Sequence, residues 1–250
     1  MAWSRGSPPG VGQQMELPLS MKKFKTTRRP RQRLLVFARV PEYGRVKTRI
    51  AAELDHERAL ELYSAMLEDL LASVGHSSET IDVEILWTGS ENIDGAEVLR
   101  IFGDRPLAMQ AGRDLGDRLT IAFAERILFH KADKVIAIGT DDPTLSRELI
   151  ETAFELLTSC DWVIGPAIDG GYYLIGCRGD TFHPSVFEEI DWGSETVLES
   201  TTSHIRKRAA TLARLPERND LDLVTDLRSY CESPSEGRLS SVLREWGWLS

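Results

Sequence analysis

The 250-residue chain is poor in cysteine: Cys160, Cys177 and Cys231 are far apart, odd in number and without CxxC spacing. Such a set signals neither a disulfide framework nor a zinc site. Cys160 and Cys177 lie in or beside apolar runs and are expected as buried thiols. The five histidines (His56, His76, His130, His183, His204) lack paired ligand spacing and are assigned no site. No stretch approaches the ~18 apolar residues of a membrane-spanning helix, and no early segment carries the apolar core of a secretory signal. A cytoplasmic protein is expected. Basic residues are short too, 30 Lys+Arg against 39 Asp+Glu, for a net charge of −9. A general nucleic-acid binder needs a basic face, so nucleic acid is not an expected partner. The phosphate-loop spacing GxxxxGK[ST] and the dinucleotide fingerprint GxGxxG are both missing.

What is present reads as a globular protein, 42% hydrophobic and 28% charged. The charge is uneven, because residues 1–33 hold eight basic side chains against Glu16 alone, leaving −16 for the rest. That first segment has no helical or strand period and is rich in Gly, Pro and Ser, so a disordered basic leader is expected over 1–33. Residues 34–233 are expected to form one domain, followed by a short tail over 234–250.

Within the body, LLVFARV (34–40) is a continuous apolar run too short for a helix, the mark of a buried parallel strand. Residues Ala59, Leu62, Tyr63, Met66, Leu67, Leu70, Leu71 and Val74 keep a helical period. Further strands are expected at 81–88, 134–139, 161–166 and 172–177, and further helices over 114–129 and around 149–157. In the first of these, Leu115, Leu119, Ala122, Phe123, Arg126 and Ile127 mark the inner face. Strands alternating with helices imply a mainly parallel α/β sheet. The close pair around Asp169-Gly170-Gly171 is expected as an antiparallel excursion.

Ligands of open α/β sheets sit beyond the carboxyl ends of the strands, and the residues there are chemically loaded. After the first strand, Gly44 shapes a loop in which Arg45, Lys47 and Arg49 offer charge and forked donors to phosphate oxygens; a plain solvated loop is the alternative. After the strand at 134–139, Asp141 and Asp142 stand side by side. Two carboxylates about 4 Å apart repel by about 4 kcal/mol at an effective dielectric of 20, a penalty that Mg2+ or Mn2+ would remove. The alternative is that one caps the following helix and the other faces water. Asp169 with Gly170 and Gly171 permits close backbone approach to a ligand, or forms an ordinary hairpin turn. Asp220 and Asp222 form a DxD pattern in which Asp222 is also a candidate helix cap. Cations and carboxylates at one sheet edge are what a metal-bridged nucleotide diphosphate site requires.

The runs FARVPEYGRVKTRI, QAGRDLGDRL, IGTDDPTL, GPAIDGGYYLIG, WGSETVL and NDLDLVTDL resemble, in this order, those of the bacterial glycosyltransferase-A-like family labelled transferase 1, rSAM/selenodomain-associated. The resemblance covers about residues 34–228. It implies a single Rossmann-like GT-A domain, the nucleotide-diphospho-sugar transferase fold, with a mainly parallel mixed sheet flanked by helices. By the same resemblance Gly44, Arg45, Lys47 and Arg49 hold donor phosphates, and Asp141 binds the metal. Asp220 or Asp222 gives a second metal contact, with Asp142 a less secure ligand because the family often has Cys there. Asp169, Gly170 and Gly171 line the cleft, the segment from Gln110 to Arg118 lies near the nucleotide, and Trp192 and Gly193 face the acceptor. Ile168 replaces a frequent Glu, and Leu223-Val224 replaces Thr-Pro, which leaves Asp222 as a helix cap.

The expected activity is metal-dependent transfer from a nucleotide-activated small molecule, an NDP-sugar, to an unidentified acceptor, with Asp141 and Asp169 catalytic and Asp169 the general base. Nucleotidyl transfer with pyrophosphate release makes nearly the same demands and stays open, as does nucleotide binding without turnover. The oligomeric state is not specified by the sequence.

Overall fold

In the computed structural model, residues 31–249 are described, and the basic leader expected over 1–33 lies, up to residue 30, outside them. Seven strands form one sheet: β1 (Gln32–Arg39), β2 (Ile81–Thr88), β3 (Leu107–Met109), β4 (Lys134–Ile138), β5 (Trp162–Pro166), β6 (Tyr172–Arg178) and β7 (Leu212–Arg214). Their order is β3-β2-β1-β4-β6-β5-β7. Only β6 runs against its neighbours, pairing antiparallel with both β4 and β5, so the excursion expected around Asp169 is a true hairpin. The remaining pairs are parallel, and the single mixed α/β domain expected from the motif order is the one formed.

Eight helices flank the sheet among the described residues: α1 (Thr48–Glu53), α2 (His56–Val74), α3 (Gly95–Phe102), α4 (Leu115–Leu128), α5 (Arg147–Leu156), α6 (Val197–Lys207), α7 (Val224–Glu232) and α8 (Arg238–Glu245). Several begin where a short side chain satisfies a free N–H. Asp55 accepts from Arg58 N at 2.7 Å to start α2, Asp114 from Asp117 N at 2.8 Å to start α4, and Ser146 from Leu149 N at 3.3 Å to start α5.

Strand alternation sorts the core into two layers. Leu34, Val36, Ile136 and Ile138 face α2, α3 and α5 through Leu67, Leu70, Phe102 and Phe154. Leu35, Val135, Ala137 and Trp162 face the other way, toward Leu119 and Phe123 of α4 and Ile205 of α6. A third cluster joins Ile50 of α1 and Met66 of α2 to Leu227 of α7 and Leu239, Val242 and Leu243 of α8. Asp69 of α2 caps α8 across space, accepting from Arg238 N at 2.7 Å and Leu239 N at 2.9 Å, so residues 234–250 include a docked helix. None of the helices is long and apolar enough to cross a membrane.

One consequence of the strand order places the site. The chain leaves β1 toward β2 on one side and returns to β4 on the other, so a crevice opens between the ends of β1 and β4.

Candidate active site

A cavity of about 690 Å³ occupies that crevice, walled by the ends of β1, β2 and β4, the loop after β1 and the start of α4. The loop turns at 42–45, where Arg45 N donates to Glu42 O at 3.0 Å. Gly44 takes φ 73° there, a left-handed conformation that favours glycine. The Glu42 carboxylate accepts from Ser90 N at 2.8 Å and ties the loop to the segment after β2. That bond, outweighing partial burial, holds Glu42 below the usual carboxylate range.

Of the cations expected to meet phosphate, Arg45, Lys47 and Arg49 all line the cavity, joined by Arg118, the end of the segment expected near the nucleotide, and by Arg39, which the sequence did not single out. The guanidinium groups of Arg39, Arg45 and Arg49 make no ion pair or side-chain hydrogen bond among the described residues, and all three residues are exposed. Lys47 behaves differently. It sits at the head of α1 in a left-handed conformation (φ 42°, ψ 47°) without capping the helix. Its Nζ is held by Asp141 Oδ1 at 2.5 Å and Asp222 Oδ1 at 2.7 Å, with only 3% of the side chain exposed. Burial alone would depress the ammonium; Asp141 and Asp222 more than reverse this and raise it above its ordinary value.

Asp141 and Asp222 meet because Leu221 N donates to Asp141 O at 2.9 Å, pinning the 219–223 segment to the end of β4. Asp222 is therefore no helix cap, contrary to expectation. Asp226, one turn into α7, reaches back to Leu223 N at 2.7 Å and Asp222 N at 3.0 Å, which frees the Asp222 carboxylate for Lys47. Asp220 has a buried Oδ1 with no hydrogen-bond partner. Burial first, then the charges of Asp141, Asp169 and Asp222, push its carboxyl up to about 7, with Lys47 opposing. Asp169 is exposed in the β5–β6 turn, where its Oδ1 accepts from Gly171 N at 2.9 Å.

Asp142 does not join this group. It is buried, its Oδ1 accepting from Thr144 N at 2.9 Å and the Thr144 hydroxyl at 2.6 Å, its Oδ2 from Arg218 Nε at 2.5 Å. Its expected metal role is corrected accordingly: both oxygens are committed to Thr144 and Arg218 in the turn that follows β4. Arg218, unnoticed in the sequence, also stands over the Tyr173 ring at 5.9 Å.

Other expected residues are placed one step back. Gln110 lines the cavity, yet its amide nitrogen donates to Leu86 O at 2.7 Å and Ala38 O at 3.2 Å, so it laces β1 to β2. Asp169, Gly170 and Gly171, expected to line the cleft, stand outside the cavity wall. Gly170 has φ 87°, and a Cβ there would lie 2.1 Å from Glu195 O, so its bareness serves packing against the approach to α6. Trp192 packs edge-on against Tyr172 (6.5 Å between rings), and it is Tyr172 that lines the cavity. Gly193 takes φ 97° with open space around it. Tyr63, expected only as core of α2, joins α2 to the strand ends: its hydroxyl donates to Arg39 O at 2.9 Å, accepts from Arg39 N at 3.0 Å and lies 3.1 Å from Thr140 Oγ1. The one early signal was its polar tip within an otherwise apolar stripe.

The raised carboxyl of Asp220 has a direct consequence for stability. Between the ordinary Asp range and about pH 7 the folded chain keeps a proton that the unfolded chain has released. Stability from this group therefore falls as pH rises across that window and is flat above it. Asp220→Asn removes the slope. Urea unfolding at pH 4 and pH 8 is expected to show the variant gaining on the wild type at the higher pH, by an amount of order 1 kcal/mol or more. An equal difference at both pH values would contradict the assignment.

Residues 71–194 match the family described as "Uncharacterized protein conserved in bacteria" (DUF2064). No curated protein matches the chain. Among solved structures, the chain is similar to the "putative nucleotide-diphospho-sugar transferase" of Desulfovibrio desulfuricans G20. The two are 32% identical over 86% of this chain and 95% of that one, with a TM-score of 0.81. Similarity to the 4-diphosphocytidyl-2C-methyl-D-erythritol synthase of Anaerococcus prevotii DSM 20548 is one of fold alone: 11% identity, 79% of this chain, 95% of that one, TM-score 0.52.

Proposed function

The chain belongs to the bacterial family DUF2064 and carries the nucleotide-diphospho-sugar transferase fold, and from that premise we propose that it is a transferase whose donor is a nucleotide-activated small molecule, an NDP-sugar. The observation that carries this reading is the company of Arg39, Arg45 and Arg49, whose guanidinium groups have no ion-pair partner among the described residues, with the carboxylates Asp141 and Asp222 in one cavity. Guanidinium forks suit diphosphate oxygens, and a sheet-edge crevice suits a nucleotide.

The donor set also fits Mg2+ or Mn2+. The oxygens of Asp141, Asp220 and Asp222 are hard ligands, Asp220 Oδ1 is buried without a partner among the described residues, and one ammonium is shared by Asp141 and Asp222. As the side chains sit, no three carboxylate, imidazole or thiol groups among the described residues converge on one point, and Lys47 Nζ lies between Asp141 and Asp222. Asp141, Asp220 and Asp222 would hold the ion, whose chemistry is to stabilise negative charge on the departing diphosphate.

The chain's own residues do the rest. Arg39, Arg45 and Arg49 bind and orient the donor phosphates and meet the charge that develops as the sugar–phosphate bond breaks. The acceptor hydroxyl forms the new bond to the sugar carbon. Its proton passes to Asp169, the exposed carboxylate outside the Lys47 pair, and the nucleoside diphosphate leaves. Trp192 shapes the acceptor side through Tyr172.

A thermal-shift panel of UDP-, GDP-, ADP- and CDP-sugars and the four NTPs, with and without Mg2+ or Mn2+, tests the reading. A ligand at 100 times its Kd adds about 2.7 kcal/mol of stability. Stabilisation by one nucleotide-sugar, larger with metal, together with release of the nucleoside diphosphate is expected. Stabilisation by an NTP alone with pyrophosphate release would move the assignment to nucleotidyl transfer, and no stabilisation by any nucleotide would overturn it.

A further inference from the structure

We propose that Lys47 and a divalent cation compete for the same two carboxylates, so that metal loading drives the Lys47 ammonium out of its buried seat and into the cavity beside the arginines. The inference rests on the metal-assisted reading above. Lys47 Nζ lies 2.5 Å from Asp141 and 2.7 Å from Asp222, in the place an ion bridging those residues would take. Two positive centres cannot share it.

Lys47 is also an incomplete counter-ion. It supplies one charge to two carboxylates, Asp141 and Asp222. A dication supplies two. The exchange asks little of the backbone. Val46 and Ile50, on either side, are fully buried and hold the loop and α1 in place. The movement is left to a flexible four-carbon side chain. Lys47 already lines the cavity, so its release adds a cation to the wall that faces the donor phosphates. Without metal, the ammonium is spent on the carboxylates. Metal loading and phosphate binding therefore favour each other, by reciprocal coupling through one side chain.

The test is Mn2+ affinity, read by calorimetry or by the free-ion paramagnetic resonance signal, in wild type, Lys47→Met and Asp141→Asn. If Lys47 fills the site in about nine molecules of ten, its removal strengthens apparent Mn2+ binding about tenfold. That gain, with binding lost in Asp141→Asn, is the expected result. Equal affinity in wild type and Lys47→Met overturns the competition and leaves the metal reading standing. No Mn2+ binding in either protein overturns the metal reading and the competition with it. A measurement on the wild type removes any dependence on how the variant folds. Amine acylation at Lys47, quantified by mass spectrometry, is expected to rise severalfold at saturating Mn2+, and labelling that Mn2+ does not change overturns the exchange.

Discussion

Replacing Arg126 with methionine is expected to lower the free energy of unfolding by about 3–5 kcal/mol. Arg126 projects from α4 onto β2, where Nε and Nη2 grip the two oxygens of Glu84 at 3.0 and 2.6 Å. Its Nη1 reaches Glu125 at 2.5 Å. Only 3% of the Arg126 side chain and 10% of Glu84 is exposed. Removing the arginine strands a carboxylate between sheet and helix, where it has neither water nor a partner. The expected loss is thus the burden of the orphaned charge, more than the worth of the pair itself. The double substitution Glu84→Leu with Arg126→Met discriminates, since it removes both charges and should restore most of the loss. Urea unfolding of the two single variants and the double variant closes the cycle. A loss below about 1 kcal/mol in Arg126→Met, the range of an exposed pair, would contradict the burial argument.

This pair also shows how far the sequence could be read. Arg126 falls on the apolar stripe that marks α4, and Glu84 interrupts the strand IDVEILWT. Each is an anomaly alone, and periodicity cannot say that two anomalies about forty residues apart answer each other. The interior strands are legible because burial on both faces writes continuous apolar runs, as in KVIAI and WVIGP. β3 and β7 are not, since three residues at a sheet margin, two half-buried and one exposed, leave no period to detect. α8 is legible only in part. Its apolar face covers two turns, and the contact that seats it comes from Asp69, far away in the chain.

The site divides in the same manner. The residue types and the sheet edge were legible, because strand ends in an alternating α/β pattern are fixed by topology. The partner of each charged group was not. Whether Lys47 meets phosphate or carboxylate depends on where the 219–223 segment returns, and a hydrogen bond from Leu221 N to Asp141 O decides that. The recruitment of Arg39 has the same origin: it reads as part of a strand run until the fold brings its end to the cavity.

Asp141→Asn and Asp142→Asn are expected to separate completely, although the two residues are neighbours. Asp141→Asn should lower turnover at least a hundredfold, on the scale of about 3 kcal/mol of transition-state stabilisation, with little change in thermal stability. Its carboxylate is 48% exposed and touches Lys47 alone, so its removal disturbs no packed layer. The backbone carbonyl that holds the 219–223 segment is unaffected. Asp142→Asn should do the reverse. The buried carboxylate satisfies Thr144 and Arg218 together, and Arg218 in turn covers Tyr173. Weakening charge-assisted bonds of this kind costs about 2–3 kcal/mol, while turnover per folded molecule should stay within a few-fold of wild type. Two measurements on each variant, a melting curve and a rate with the nucleotide donor the wild type accepts, are sufficient. Loss of turnover in Asp142→Asn at full stability would put its carboxylate back among the reacting groups. A wild-type rate in Asp141→Asn would remove the floor of the cavity from the chemistry altogether. The contrast follows from the partners each carboxylate has in the loop after β4: Asp141 meets Lys47 in the crevice, and Asp142 is taken up by Thr144 and Arg218 in the turn.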